Sequence, residues 1–198
     1  MINLMALKPN HVTFFRICAA PAIALLLCIN HWFPALLALA LYILAAASDW
    51  LDGYLARKYN DTSLLGKVFD IIADKMLVIS VLLSLAYNGV LGGAILPALA
   101  IVLREIFIAG LREYAARYAD EKKEAEPDAS ALDATQYAKA KTVVQMVAIG
   151  LLVAVPHILP TFVGAIGAGL LWIAAALSLY TGYQYWQAAR FMPPKSGS

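Results

Sequence analysis

Six stretches of this 198-residue chain are apolar and long enough to cross a bilayer, which takes about 20 residues each. They fall near residues 14–30, 34–57, 66–88, 94–117, 137–155 and 161–187. Segments that long in lipid must satisfy their own backbone, which predicts helices. Hydrophobic residues make up 62% of the chain and its mean hydropathy is +0.73, well above a soluble domain. The expected fold is an all-α membrane protein with six transmembrane helices, one domain over residues 1–192, and a tail at 193–198. Residues 1–12 mix Met5, Leu7 and Val12 with Lys8, Asn10 and His11. That mixture predicts a short amphipathic segment on the membrane surface. No signal-peptide cleavage pattern follows, so the first apolar stretch is expected to be retained. Pro21 should kink it.

The connections alternate in charge. Those near Asn30–Phe33, Asn88–Gly93 and Pro156–Pro160 hold no Lys or Arg. Lys8, Arg57, Lys58, Lys67, Arg117, Lys122, Lys123, Arg190 and Lys195 fall on the other side. The positive-inside bias then puts both termini in the cytoplasm. Tyr180, Tyr183, Tyr185 and Trp186 read as an aromatic belt at that end of the last helix. Residues 118–133 read as an acidic, solvated cytoplasmic loop. Cys18 and Cys28 sit in apolar sequence and read as small hydrophobes, with no disulfide. Gly150, Gly164, Gly167 and Gly169 suggest close helix packing. A net charge of +2 without a basic run gives no reason to expect nucleic acid as a partner.

Against this apolar background stand four aspartates. Asp49 and Asp52 are three apart, and Asp70 and Asp74 are four apart. At those spacings each pair shares one helical face. Carboxylates are expensive in hydrocarbon and turn toward a bundle interior or a wet cavity. Four together would repel and take up protons unless cations held them. An all-oxygen donor set suits a hard divalent ion, Mg2+ or Mn2+. Interhelical pairing with Arg57, Lys58, Lys67 or Lys75 is the plainer alternative, and it would not require so fixed a pattern.

The full pattern is Asp49-x-x-Asp52-Gly53-x-x-Ala56-Arg57, eight residues, then Gly66-x-x-x-Asp70-x-x-x-Asp74. It resembles the signature of the CDP-alcohol phosphotransferase family at every defined position. The resemblance implies transfer of a substituted phosphoryl group from a CDP-linked donor to an alcohol, with release of CMP. It also implies two divalent ions on Asp49, Asp52, Asp70 and Asp74, with Asp74 doubling as general base. Asp52, Gly53, Ala56, Arg57 and Gly66 would receive the CDP donor. Pro9-Asn10, Thr13 and Arg16 resemble the start of many family members, and Asn10 would reach the nucleotide. A plain helix start, with Thr13 as cap and Arg16 snorkelling, fits that segment equally well.

The second half carries more polar residues in apolar sequence: Arg104-Glu105, Arg112-Glu113, Lys139, Lys141 and Gln145. They suit either interhelical salt bridges or a cationic pocket for an anionic acceptor. In the second reading Arg104, Arg112, Lys139 and Lys141 serve the acceptor phosphate, with Arg104 braced by Glu105. These stretches resemble the bacterial phosphatidylglycerophosphate synthases, except that Ala138 stands where a Gly is usual. That likeness implies CDP-diacylglycerol as donor, glycerol 3-phosphate as acceptor, and phosphatidylglycerol phosphate as lipid product. It further implies a homodimer in the bacterial inner membrane, with its active site facing the cytoplasm. Related enzymes with inositol phosphate, serine or phosphatidylglycerol as acceptor are the nearest alternative. An ion transporter is a remote one, since the outer halves of the spans lack a polar path.

Overall fold

Backbone amides without water must bond to one another, and in this chain they do so as helices. The computed structural model describes the backbone of residues 9–59, 64–122, 136–155 and 157–190. Side chains are described for residues 13–48, 69, 71–113, 140–155 and 157–187. Among the described residues there are six α-helices and no strand. They are α1 (Pro9–Leu27), α2 (Trp32–Tyr59), α3 (Leu64–Tyr87), α4 (Ile95–Lys122), α5 (Gln136–Ala154) and α6 (Thr161–Arg190), with a 3-10 turn at Gly92–Ala94 before α4. Two stretches, Gly92–Glu113 and Thr161–Gln187, are long and apolar enough to cross a membrane by themselves. Thr13–Leu27, Trp32–Ser48 and Ala140–Ala154 are shorter apolar stretches.

Two boundaries differ from expectation. α1 begins at Pro9, so Pro9–Val12 belong to the first long helix instead of a separate surface segment. Proline suits a helix's first turn, where its missing amide costs nothing. The helix continues through Pro21. Residues 1–8 lie outside the described part. α4 runs on to Lys122, so Tyr118–Lys122 is helix where a loop was expected. That segment has no glycine or proline to stop a helix. Residues 123–133 of the expected loop, and the tail at 193–198, lie outside the described residues.

The interior is largely apolar, but unlike that of a water-soluble protein the outward surface is apolar as well. Large apolar groups such as Leu25, Leu83, Leu96, Val143 and Phe162 point outward. Arg16, Glu105, Lys141, Gln145, Ser178 and Thr181 are buried. Lipid is the solvent that makes this arrangement stable. The protein is a membrane protein. Cys18 and Cys28 are free thiols on the outward faces.

The chain forms two compact units. One comprises Met1–Gly93 with Ile149–Ala168, the other Ala94–Ala148 with Gly169–Ser198. In the first, α1 packs against both α2 and α3. The Asn88 side-chain amide donates to the Leu27 carbonyl at 2.8 Å, tying the end of α3 to the end of α1. The Ser84 hydroxyl bonds the Ser80 carbonyl at 2.9 Å and lies 3.4 Å from that of Ala24. Gly150 and Gly164 do allow close packing: a Cβ would lie 3.3 Å from the Tyr42 ring and 3.4 Å from Val155 respectively. Around Gly169 nothing among the described residues lies within 4 Å of such a Cβ.

α3 stops because Gly89 takes a left-handed conformation, φ +70°. The Val90 amide then reaches the Leu85 carbonyl and the Gly89 amide that of Ala86, both at 3.0 Å. This is a Schellman cap. A side chain at Gly89 would be strained although the space around it is open. Gly89→Ala should therefore lower stability by about 1 kcal/mol, seen as a lower midpoint of thermal unfolding in detergent. Gly93→Ala, with no positive φ and open space, should leave it unchanged.

Candidate active site

The first unit carries all four motif aspartates. Asp49 and Asp52 lie one turn apart on α2, and Asp70 and Asp74 one turn apart on α3. The side chains of Asp49, Asp52 and Asp70 lie outside the described residues, as do those of Asn10, Arg57 and Lys139. Asn10 is on α1, Gly53, Ala56 and Arg57 are on α2, Gly66 is in the first turn of α3, and Lys139 is on α5.

Asp74 is half-buried and acts electrostatically on Tyr42, which is 2% exposed. Tyr42 precedes Asp49 by seven residues on α2, about 20° short of two full turns. The two therefore leave α2 on one stripe, and Asp74 of α3 lies within electrostatic reach of Tyr42. The four aspartates of the motif offer only oxygen donors, the kind that suits a hard divalent cation. The same unit fully buries Arg16 on α1. That rules out the snorkelling reading of Arg16, since its guanidinium does not reach the surface. Thr13 lies within α1, buried, and not at its cap.

The second unit holds the other polar centre, and here the geometry is explicit. Lys141 of α5 and Arg104 of α4 both bond Oε1 of Glu105, Arg104 at 3.1 Å. Arg104 also donates through Nε to the Ser178 carbonyl at 3.0 Å and through a terminal nitrogen to the Thr181 hydroxyl at 3.1 Å. Its stem passes over Gly182, where a Cβ would sit 3.2 Å from Cγ. Arg112 lies with its guanidinium 5.2 Å from the centre of the Tyr185 ring, a cation–π contact. Partners rise in number together along α4 and α6, from 104 with 178 and 181 to 112 with 185. The two helices thus run parallel, as alternating spans require.

Arg104 is braced by Glu105 as expected. The trio of Arg104, Lys141 and Glu105 carries a net positive charge. Lys139 leaves α5 about 200° from Lys141, so the two lysines start from nearly opposite faces. Tyr185 does not belong to an outward aromatic belt: it is 6% exposed and stacked under Arg112, whereas Tyr180, Tyr183 and Trp186 point outward. Ser178, Thr181, Gly182 and Tyr42 were not singled out from the sequence. Ser178, Thr181 and Tyr185 nonetheless fall at i, i+3 and i+7, a polar stripe in an otherwise apolar helix that sequence alone displays.

The profile of the CDP-alcohol phosphatidyltransferase family matches residues 6–180. The chain belongs to that family. Among its relatives, the protein of Rickettsia typhi is 37% identical, over 92% of this chain and 96% of its own. That of Cereibacter sphaeroides is 35% identical, over 91% of this chain and 94% of its own. That of Shigella flexneri is 32% identical, over 92% and 94%. All three are named CDP-diacylglycerol–glycerol-3-phosphate 3-phosphatidyltransferase. The all-helical membrane architecture is consistent with membership of this family.

Glu105 is the acid through which α4 holds α5. Removing it would leave two buried cations without that carboxylate, a loss on the order of 3–5 kcal/mol. Glu105→Ala should therefore unfold at markedly lower temperature than wild type in detergent, while exposed Glu113→Ala should change little. Equal midpoints for Glu105→Ala and wild type would show that the cluster contributes nothing to stability.

Proposed function

We propose that the protein transfers the phosphatidyl group of CDP-diacylglycerol to glycerol 3-phosphate, forming phosphatidylglycerol phosphate and CMP. The observation that carries this reading is the shared activity in the names of relatives matched over nearly their whole length. The aspartate pattern on α2 and α3 supports the reaction type, and the cations of the second unit support an anionic acceptor.

The reaction forms one bond and breaks one. A glycerol 3-phosphate hydroxyl oxygen attacks the phosphorus that bears diacylglycerol. The bond from that phosphorus to the CMP phosphate oxygen breaks, and CMP leaves. Asp74 accepts the hydroxyl proton, a carboxylate's ordinary task as general base. Asp49, Asp52, Asp70 and Asp74 would hold Mg2+ or Mn2+, which when bound neutralises charge on the pyrophosphate. Gly53, Ala56 and Gly66 leave space for the nucleotide, Arg57 pairs with donor phosphates, and Asn10 contacts the nucleotide. Arg112 and Lys141 attract and hold the acceptor phosphate. Arg104 spends three donors on Glu105, Ser178 and Thr181, so its part is chiefly to fix the cluster. Lys139 would reach the same phosphate only by passing around α5. The enzyme acts in the bacterial inner membrane as a homodimer, with this chemistry on the cytoplasmic side.

Purified protein given CDP-diacylglycerol and a panel of alcohols decides the matter. Glycerol 3-phosphate should yield CMP and a new phospholipid, and plain glycerol should not. Lys141→Ala and Arg112→Ala should each raise the KM for glycerol 3-phosphate about ten- to a hundredfold, with little change for the donor. Faster transfer to inositol phosphate, serine or phosphatidylglycerol would overturn the acceptor assignment.

A further inference from the structure

Gln145 has no role in the scheme above, yet its position is costly. It lies on α5 one turn beyond Lys141 and so on the same face. It is 4% exposed, and among the described residues its buried Oε1 has no hydrogen-bond partner. A second atom nearby in the network has the same property. Ser178, whose carbonyl accepts from Arg104, is fully buried, and its Oγ lacks a partner among the described residues. The Arg104–Glu105–Lys141 cluster is thus accompanied by two polar atoms with no partner among the described residues. A buried polar atom without a partner destabilises the fold, most of all in a membrane protein. Leucine or methionine would pack at position 145 without that cost.

We propose that Gln145 is a specificity-determining residue whose amide oxygen accepts a hydrogen bond from the acceptor hydroxyl that does not react. This rests on the reading of glycerol 3-phosphate as acceptor. The chemistry selects the hydroxyl. Oε1 requires a donor, and a phosphate dianion has none to offer. A three-carbon phosphate with two hydroxyls commits one to attack and keeps the other. With the phosphate on the cations, that second hydroxyl is the donor left over to meet an amide one turn along α5 from Lys141. Gln145 then distinguishes glycerol 3-phosphate from phosphates that lack the extra hydroxyl. A site built to hydrogen-bond a hydroxyl discriminates strongly against an analogue without it, because its own polar atom is then left unpaired.

The test compares kcat/KM for glycerol 3-phosphate and for 3-hydroxypropyl phosphate, which lacks the secondary hydroxyl. Wild type should prefer glycerol 3-phosphate by about tenfold or more. Gln145→Met, which keeps the side chain's length, and Gln145→Leu should lose that preference by slowing glycerol 3-phosphate while leaving the analogue nearly unchanged. Equal losses with both acceptors would assign Gln145 to packing and overturn the inference. So would a preference that survives in either variant, or a wild type that uses both phosphates equally well. Those outcomes leave the acceptor reading standing. A wild type that transfers to neither phosphate overturns both.

Discussion

A charge inside a bilayer must be matched, and in the second unit that matching is centred on one carboxylate. Glu105 takes Lys141 from α5 and Arg104 from α4, and Arg104 carries the link on to the Ser178 carbonyl and Thr181 hydroxyl of α6. Three helices are joined through the neighbouring pair Arg104 and Glu105. Apolar packing alone could not specify this register, because lipid competes for apolar faces as well as a neighbouring helix does. Polar pairs have no such competitor, so they fix which residues meet. Gly182 follows from the same demand, since a side chain there would crowd the arginine stem.

The first unit meets the same constraint with charges of both signs. Four motif aspartates fall on two helices, two on α2 and two on α3, and Asp74 acts electrostatically on Tyr42 of α2. The fully buried Arg16 on α1 brings one positive charge into the same unit. In the mechanism proposed, bound divalent cations would offset the repulsion among the four clustered carboxylates.

Much of this was legible in the sequence. Long apolar stretches gave six helices within a few residues of their ends, because length and hydropathy are local properties. The aspartate pattern was legible because its spacing is rigid along a helix. The end of α4 was misplaced because acidic, small residues suit a helix as well as a loop, and composition does not separate them. Tyr185 was misjudged for a different reason, and for the same reason Arg16 was left between two readings. Each has a polar head and an apolar body, so sequence permits a surface position, and only the packed neighbours show that both are buried. The partners of Arg104 were not singled out: Ser178 and Thr181 lie on a polar stripe of α6, but only α4 beside them shows what that stripe bonds.

Direct binding of a metal tests the mechanism most sharply. Mn2+ added to the purified protein in detergent can be followed by electron paramagnetic resonance, since the free-ion signal is lost on binding. The aspartate site predicts one or two tightly bound ions per chain in wild type, and much weaker binding in Asp49→Asn and Asp70→Asn. It also predicts that CMP release from CDP-diacylglycerol rises in step with occupancy. Wild type that leaves Mn2+ free, or that turns over equally well in excess chelator, would contradict a metal held by these four carboxylates.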